Sequence, residues 1–172
     1  MEEYITTQAP VREISVEQQR RLHRCCIMGR TNRPEKEVRL ELASMIRQAV
    51  AEGFTTFIVG MSCGLEMWAG EEVVRLRKDN PDLHLIAAVP FPGYEGRWSA
   101  NMQMEFHELV KMADVVRYIS PAYSSDTYQR RDEWMIDHSA RIITGTDLGR
   151  SIDYARMLEV PVITLKYAAV AA

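Results

Sequence analysis

The sequence predicts an α/β fold, a three-layer α/β/α sandwich built around a mostly parallel sheet. Apolar runs of strand length recur along the chain, and amphipathic helical patterns lie between them. Turns rich in glycine or proline follow several of the runs, where the ligand crevice of such a sheet opens. The 172 residues fit a single domain.

Residues 1–23 read as a polar extension with a short helix around residues 15–22. Ser15 followed by Gln18 has the form of a capping box that would start it. The domain proper is expected over residues 24–172, with strands at 25–28, 55–59, 83–89, 115–119, 141–144 and 160–165. Helical patterns occupy 37–51, 65–77, 98–112, 128–138 and 149–158. The first of these places Val38, Leu42, Met45, Ile46 and Ala49 on one face, and the second does the same with Leu65, Trp68, Ala69, Val73 and Leu76. No repeat, low-complexity stretch or linker divides the chain. Right-handed crossovers between the parallel strands make the expected fold Rossmann-like.

Hydrophobic residues make up 47% and charged residues 26%, ordinary globular usage. A net charge of −3 argues against a general nucleic-acid binder, since such domains carry a basic excess or stripe. No apolar run approaches the ~20 residues that span a bilayer, so no membrane association is expected. Met1-Glu2-Glu3-Tyr4 lacks the basic-then-apolar order of a signal peptide, which points to the cytoplasm. Cys25 and Cys26 lie in an apolar run as buried thiols of a reducing compartment, and Cys63 is remote from them. His23, His84, His107 and His138 show no paired ligand spacing, so neither a metal site nor a cofactor is assigned.

Candidate chemistry lies in the loops. In Gly29-Arg30-Thr31-Asn32-Arg33-Pro34, two arginines and free amides near a helix start suit an anion; the bland reading is a polar turn ended by proline. Gly60-Met61-Ser62-Cys63-Gly64 lets backbone pass close to a ligand and aims N–H groups at it. It also spells the G-x-S-x-G nucleophile elbow in a strand-turn-helix context, with Asp114 or Asp126 and then His138 as triad partners. Against a serine hydrolase stand the missing oxyanion loop and the position of His138 inside a helical pattern. The aromatics of Pro90-Phe91-Pro92-Gly93-Tyr94-Glu95-Gly96-Arg97-Trp98 suit a planar anion together with Arg97, although a Pro-pinned connection packed on Trp98 explains them too. Arg131 is the functional candidate of the helix at 128–138, where Trp134 and Met135 read as core. The turn from Thr144 through Gly145 and Gly149 to Ser151 puts a hydroxyl at a helix start.

In this order the loops resemble those of the YpsA/YoqJ-like family of the SLOG superfamily, Rossmann-like domains named for DNA-processing Smf/DprA proteins and cytokinin-activating LOG enzymes. The resemblance rests on Glu52-Gly53 through Trp68-Ala69, on Pro90-Phe91-Pro92-Gly93 with Arg97-Trp98, and on Arg131 with Trp134-Met135-Ile136-Asp137. It implies a pocket for a nucleotide or nucleotide-derived molecule at the strand ends, and a homodimer or higher homo-oligomer. The sequence departs from the family pattern at Arg30-Thr31-Asn32 in the first loop, at Glu66 in place of Asp, at Asp132 in place of Asn and at Arg150 in the late loop. A LOG-type catalytic Glu has no counterpart, since Tyr154 stands at its position and Asp153 is displaced by one.

Two functions follow from this resemblance. A sensor or sequestering module would hold the ligand with Gly29, Arg30, Arg33, Gly60, Ser62, Gly64, Glu66, Arg97, Trp98, Arg131, Gly145, Gly149 and Ser151. In that reading Arg33, Arg97 and Arg131 take phosphate and Glu66 a ribose hydroxyl, with Glu66 facing Arg33 and Arg131. The alternative is an N-glycosidase acting on nucleoside monophosphates, with Glu66, Arg131 and Asp153 as catalytic candidates. The serine hydrolase is a third reading.

Overall fold

The computed structural model describes residues 15–145 and 149–166. Residues 1–14, Thr146 to Leu148 of the late loop, and residues 167–172 at the end of the expected domain lie outside the described residues. Elements follow in the order α1 (Val16–Arg21), β1 (Arg24–Met28), α2 (Glu35–Ala51), β2 (Thr56–Val59), α3 (Leu65–Arg77), β3 (His84–Val89), α4 (Ala100–Met112), β4 (Val115–Tyr118), α5 (Thr127–Asp137), β5 (Arg141–Thr144), α6 (Ser151–Met157) and β6 (Val162–Thr164). The expected α/β sandwich is observed. Helix α1 carries the full capping box: the Gln18 amide donates to Ser15 Oγ at 3.2 Å, and the Ser15 amide donates to Gln18 Oε1 at 3.0 Å.

The sheet is parallel throughout, in the order β4-β3-β2-β1-β5-β6. The chain builds outward from β1 to β4 and then returns to the other side of β1, so strand order reverses between β1 and β5. Parallel strands must be buried on both faces because their crossovers lay helices there. Alternate residues of β1 show this: Cys25 and Ile27 join the core beneath α2, α3 and α4, whereas Cys26 and Met28 join a smaller core with Met135 and Ile136 of α5 and Ala155 of α6. Val38, Leu42, Ile46 and Ala49 are all buried, as their spacing predicts. No helix among the described residues is long and apolar enough to cross a membrane.

Burial pushes the Cys26 thiol up to about 12, and it raises Cys25 as well. A thiol whose pKa rises on folding contributes stability that is complete below its unfolded value of ~8.5 and is lost as the pH climbs toward the folded one. Cys63 is exposed. A thiol-reactive reagent is therefore expected to titrate one cysteine in the native protein and three in denaturant, as read by absorbance. Leu42→Ala is expected to cost about 2–5 kcal/mol in a denaturant titration, because it opens a cavity in the larger core.

Candidate functional site

The site is organised by the carboxylate of Glu66, in the first turn of α3 and only 1% exposed. Glu66 Oε1 accepts from the Gly29 amide at 3.3 Å, and Oε2 accepts from the Ser62 amide at 2.9 Å. One side chain thereby ties the loop after β1 to the loop after β2. Gly60 is required for this approach: a Cβ there would lie 2.6 Å from Glu66 Oε1. The following Met61 holds φ at 67° with its side chain fully buried, so the turn carries backbone strain that core packing holds in place.

Arg131 of α5, 7% exposed, closes the network from the other layer. Its Nη1 donates to the Gly60 carbonyl and to Ser62 Oγ, both at 3.1 Å, and stands 3.9 Å from Glu66 Oε2. Its Nε and Nη2 donate to Asp132 Oδ1 at 3.2 and 3.0 Å. Burial works against a charged guanidinium, yet Glu66 and then Asp132 outweigh it and raise the pKa of Arg131 above its usual value. The second Asp132 oxygen accepts from Ser151 Oγ at 2.8 Å, which joins the start of α6 to the same network.

Above this floor opens a cleft of about 710 Å³. It lies at the carboxyl ends of β1 and β2, beside the reversal of strand order, where α/β sheets place ligands. Gly29, Arg30 and Thr31 line it from the first loop, Ser62 to Glu66 from the second, Tyr94 from the third, Tyr128, Arg131 and Asp132 from α5, and Gly149 from the late loop. In the opening turn of α3 the Met67 amide donates to the Ser62 carbonyl at 3.3 Å, and the helix dipole places partial positive charge on the Leu65 and Glu66 amides ahead of it. Ser62 Oγ also meets Tyr94 Oη at 3.1 Å. Burial raises the Tyr94 pKa, so the phenol stays neutral and can donate.

Of the residues expected at the site, Gly29, Arg30, Ser62, Gly64, Glu66, Arg131 and Gly149 line this cleft, and Gly60 lies beneath it. Arg33 does not face Glu66. It pairs with Glu41 and donates to the Lys166 carbonyl at 2.8 Å, because the turn ending at Pro34 aims it along α2. Arg97 is exposed outside the cleft. Trp98 packs edge-on against Tyr94 and Phe106, at 5.1 and 5.5 Å, and supports the third loop from below. Gly145 makes room for protein: a Cβ there would lie 1.8 Å from the Arg30 carbonyl oxygen. Ser151 bonds Asp132, and Asp153 sits on the surface, its side chain 82% exposed beside Arg156. The ribose role expected of Glu66 competes with a framework role: the residue is buried and each oxygen already accepts from a protein amide.

The hydrolase triad is not assembled. Ser62 Oγ is held by Arg131 and Tyr94, whereas His138 caps α5, stacks on Trp134 at 4.2 Å and bonds the Trp134 carbonyl through Nδ1 at 2.7 Å. Asp114 accepts from the Leu85 amide and Arg77, and Asp126 accepts from Ser124 Oγ. The residues expected at the site leave out Thr31, Cys63, Leu65, Tyr94, Tyr128 and Asp132, which also line the cleft. Tyr128 precedes Arg131 by three residues on the same helix, so i,i+3 spacing places it on the Arg131 face; nothing local marks Asp132.

Glu66→Ala is expected to destabilise the fold by about 3–5 kcal/mol in denaturant titration, since it orphans two amides and leaves the buried Arg131 with Asp132 as its one carboxylate partner among the described residues. Glu66→Gln, which keeps an acceptor, is expected to cost less.

Known proteins place the chain in context. A solved structure of DNA processing protein A from Helicobacter pylori, described for its single-stranded DNA binding mode, superposes with a TM-score of 0.60 at 17% identity, covering 89% of this chain and 69% of that one. At that identity the likeness is one of fold. A UPF0398 protein of Staphylococcus epidermidis is 29% identical over 100 residues, 57% of this chain and 53% of its own length. One from Halalkalibacterium halodurans is 24% identical over 119 residues, 68% and 63% respectively. The chain spans about half the length of the first of these relatives, 53% of it. The YpsA family model, described as the YspA SLOG family, matches residues 21–154. With most of the chain inside that match and a Rossmann-like sheet beneath it, the protein belongs to the YpsA family of SLOG domains.

Proposed function

We propose that this protein binds a nucleotide-derived small molecule in the cleft at the ends of β1 and β2, as a sensor or sequestering module. The observation that carries this reading is the cleft itself: about 710 Å³, at the reversal of strand order, with the opening turn of a 13-residue helix in its wall. That size lies within the ~300–1,000 Å³ of small-molecule sites. An anionic group is accommodated by the α3 amides and by Arg30 on the cleft wall. Arg131 holds the Gly60–Ser62 turn in shape for that ligand, and it takes this positioning role instead of the phosphate-binding one its residue type suggests. SLOG membership supports a nucleotide-related ligand. The H. pylori neighbour is described as binding single-stranded DNA, a polymer of the same chemical units.

N-glycosidic hydrolysis has less support, because it needs a carboxylate able to reach the sugar. Of the acids lining the cleft, Glu66 accepts two backbone amides and Asp132 accepts from Arg131 and Ser151, while Asp153 lies outside. The homo-oligomer implied by the resemblance has the edge strand β4 in its favour, with Val115 and Tyr118 each half exposed. Light scattering tests it.

Binding is tested by thermal shift against nucleoside monophosphates. A ligand present at a hundredfold its dissociation constant is expected to add ~2.7 kcal/mol of stability, and Arg131→Ala is expected to abolish that increment. No shift with any nucleotide at millimolar concentration would sink the reading. Chromatography of the same mixtures is expected to show no free base.

A further inference from the structure

One wall of the cleft carries an aromatic cluster that no role described so far requires. Phe91 and Tyr94 of the third loop, Tyr123 of the loop after β4 and Tyr128 of α5 meet in a ring of edge contacts. Centroid distances are 5.6 Å for Phe91–Tyr94, 5.8 Å for Phe91–Tyr123, 6.0 Å for Tyr94–Tyr128 and 6.2 Å for Tyr123–Tyr128. Interplanar angles of 58–81° set the rings edge to face or tilted, so no two of the four stack face to face on each other. The inner members are fixed, Tyr94 by its hydroxyl contact to Ser62 and its packing on Trp98. The outer members are not covered: Tyr123 is 64% exposed and Tyr128, which lines the cleft, is 42% exposed. Arg131 Cζ lies 5.8 Å over the Tyr128 ring and holds one side of it. Isolated exposed tyrosines are ordinary. Tyr128 lines the polar cleft and Tyr123, 6.2 Å from it, continues the aromatic surface beyond the lining; on a fixed aromatic base the two form a platform.

We propose that Tyr123 and Tyr128 form a stacking subsite for the planar base of the ligand, while its anionic end sits at the opening turn of α3. This rests on the cleft reading above and adds a requirement to it: the base, beyond the phosphate, carries a large share of the affinity. Stacking tolerates any base, because every base has a π face. The platform offers only phenol hydroxyls as polar groups, so it favours purines over pyrimidines by area and separates adenine from guanine weakly. The net charge of −3 and the single turn of amides suit one nucleotide better than a strand.

Calorimetric titration of the full chain with AMP, GMP, ribose 5-phosphate and a short oligothymidylate tests this, using the wild type, Tyr128→Ala, Tyr123→Ala and Tyr128→Phe. The expected result is that AMP and GMP bind with affinities within a few fold of each other. Tyr128→Ala should weaken both roughly five- to a hundredfold, the range of a single base–aromatic stack, and Tyr128→Phe should restore the affinity. Ribose 5-phosphate should bind weakly and ignore both alanine variants. If ribose 5-phosphate binds as well as AMP, and neither responds to Tyr128→Ala, the stacking subsite is overturned while the cleft reading stands. If no phosphate ligand binds the wild type, both readings fall. If the oligothymidylate binds through Tyr128 and AMP does not bind, the assignment to a mononucleotide is overturned.

Discussion

The rest of the site depends on one buried carboxylate. Glu66 gathers the amides of Gly29 and Ser62, two groups from different loops that would otherwise face a low-dielectric interior without partners. Burying the charge is costly unless it is compensated, and Arg131 supplies the compensation from the opposite helical layer at 3.9 Å. The pair therefore joins the two layers across the end of the sheet. It also dictates a neighbouring residue: Gly60 must lack a Cβ because the carboxylate occupies that volume.

This arrangement divides the cleft into a framework and a contact surface. Arg131, Asp132 and Ser151 form a continuous chain of charge-assisted hydrogen bonds linking α5 and α6. Groups so engaged set geometry more than they meet ligand. The same cleft is also lined by residues outside that chain of bonds, among them Arg30, Thr31, Cys63, Gly64, Tyr94 and Tyr128. The residue types that usually announce function, a buried acid and a buried arginine, are here the supports. Plainer residues make the surface.

The departures from the family pattern acquire physical roles in this light. Asp132, where an amide is usual, accepts from both Arg131 and Ser151, a double role that an amide with a single acceptor oxygen fills less well. Glu66, one methylene longer than the usual Asp, reaches two loops at once. Arg30, in the altered first loop, lines the cleft, whereas Arg33 beside it turns to Glu41 and the end of the described chain. Two arginines three residues apart thus serve opposite sides of the same turn.

The sequence by itself determined the elements and their order. Strand runs and helical faces are local patterns fixed by periodicities of two and 3.6, so Cys25–Met28 and the Val38–Leu42–Ile46 stripe could be read directly. It also singled out the turn at Gly60–Gly64, because two glycines after a strand and before a helix mark close backbone approach, and Ser62 to Gly64 of that turn line the cleft. Only the tertiary structure decided who meets whom there. Gly29 and Glu66 are 37 residues apart, and Arg131 reaches Ser62 across 69. No local signal encodes which rotamer of Glu66 or which side of the Arg30–Pro34 turn wins, since each is settled by competition among hydrogen-bond partners brought together by the sheet. That competition moved Glu66 and Arg131 from ligand contacts to framework, and it left the tyrosines at the mouth.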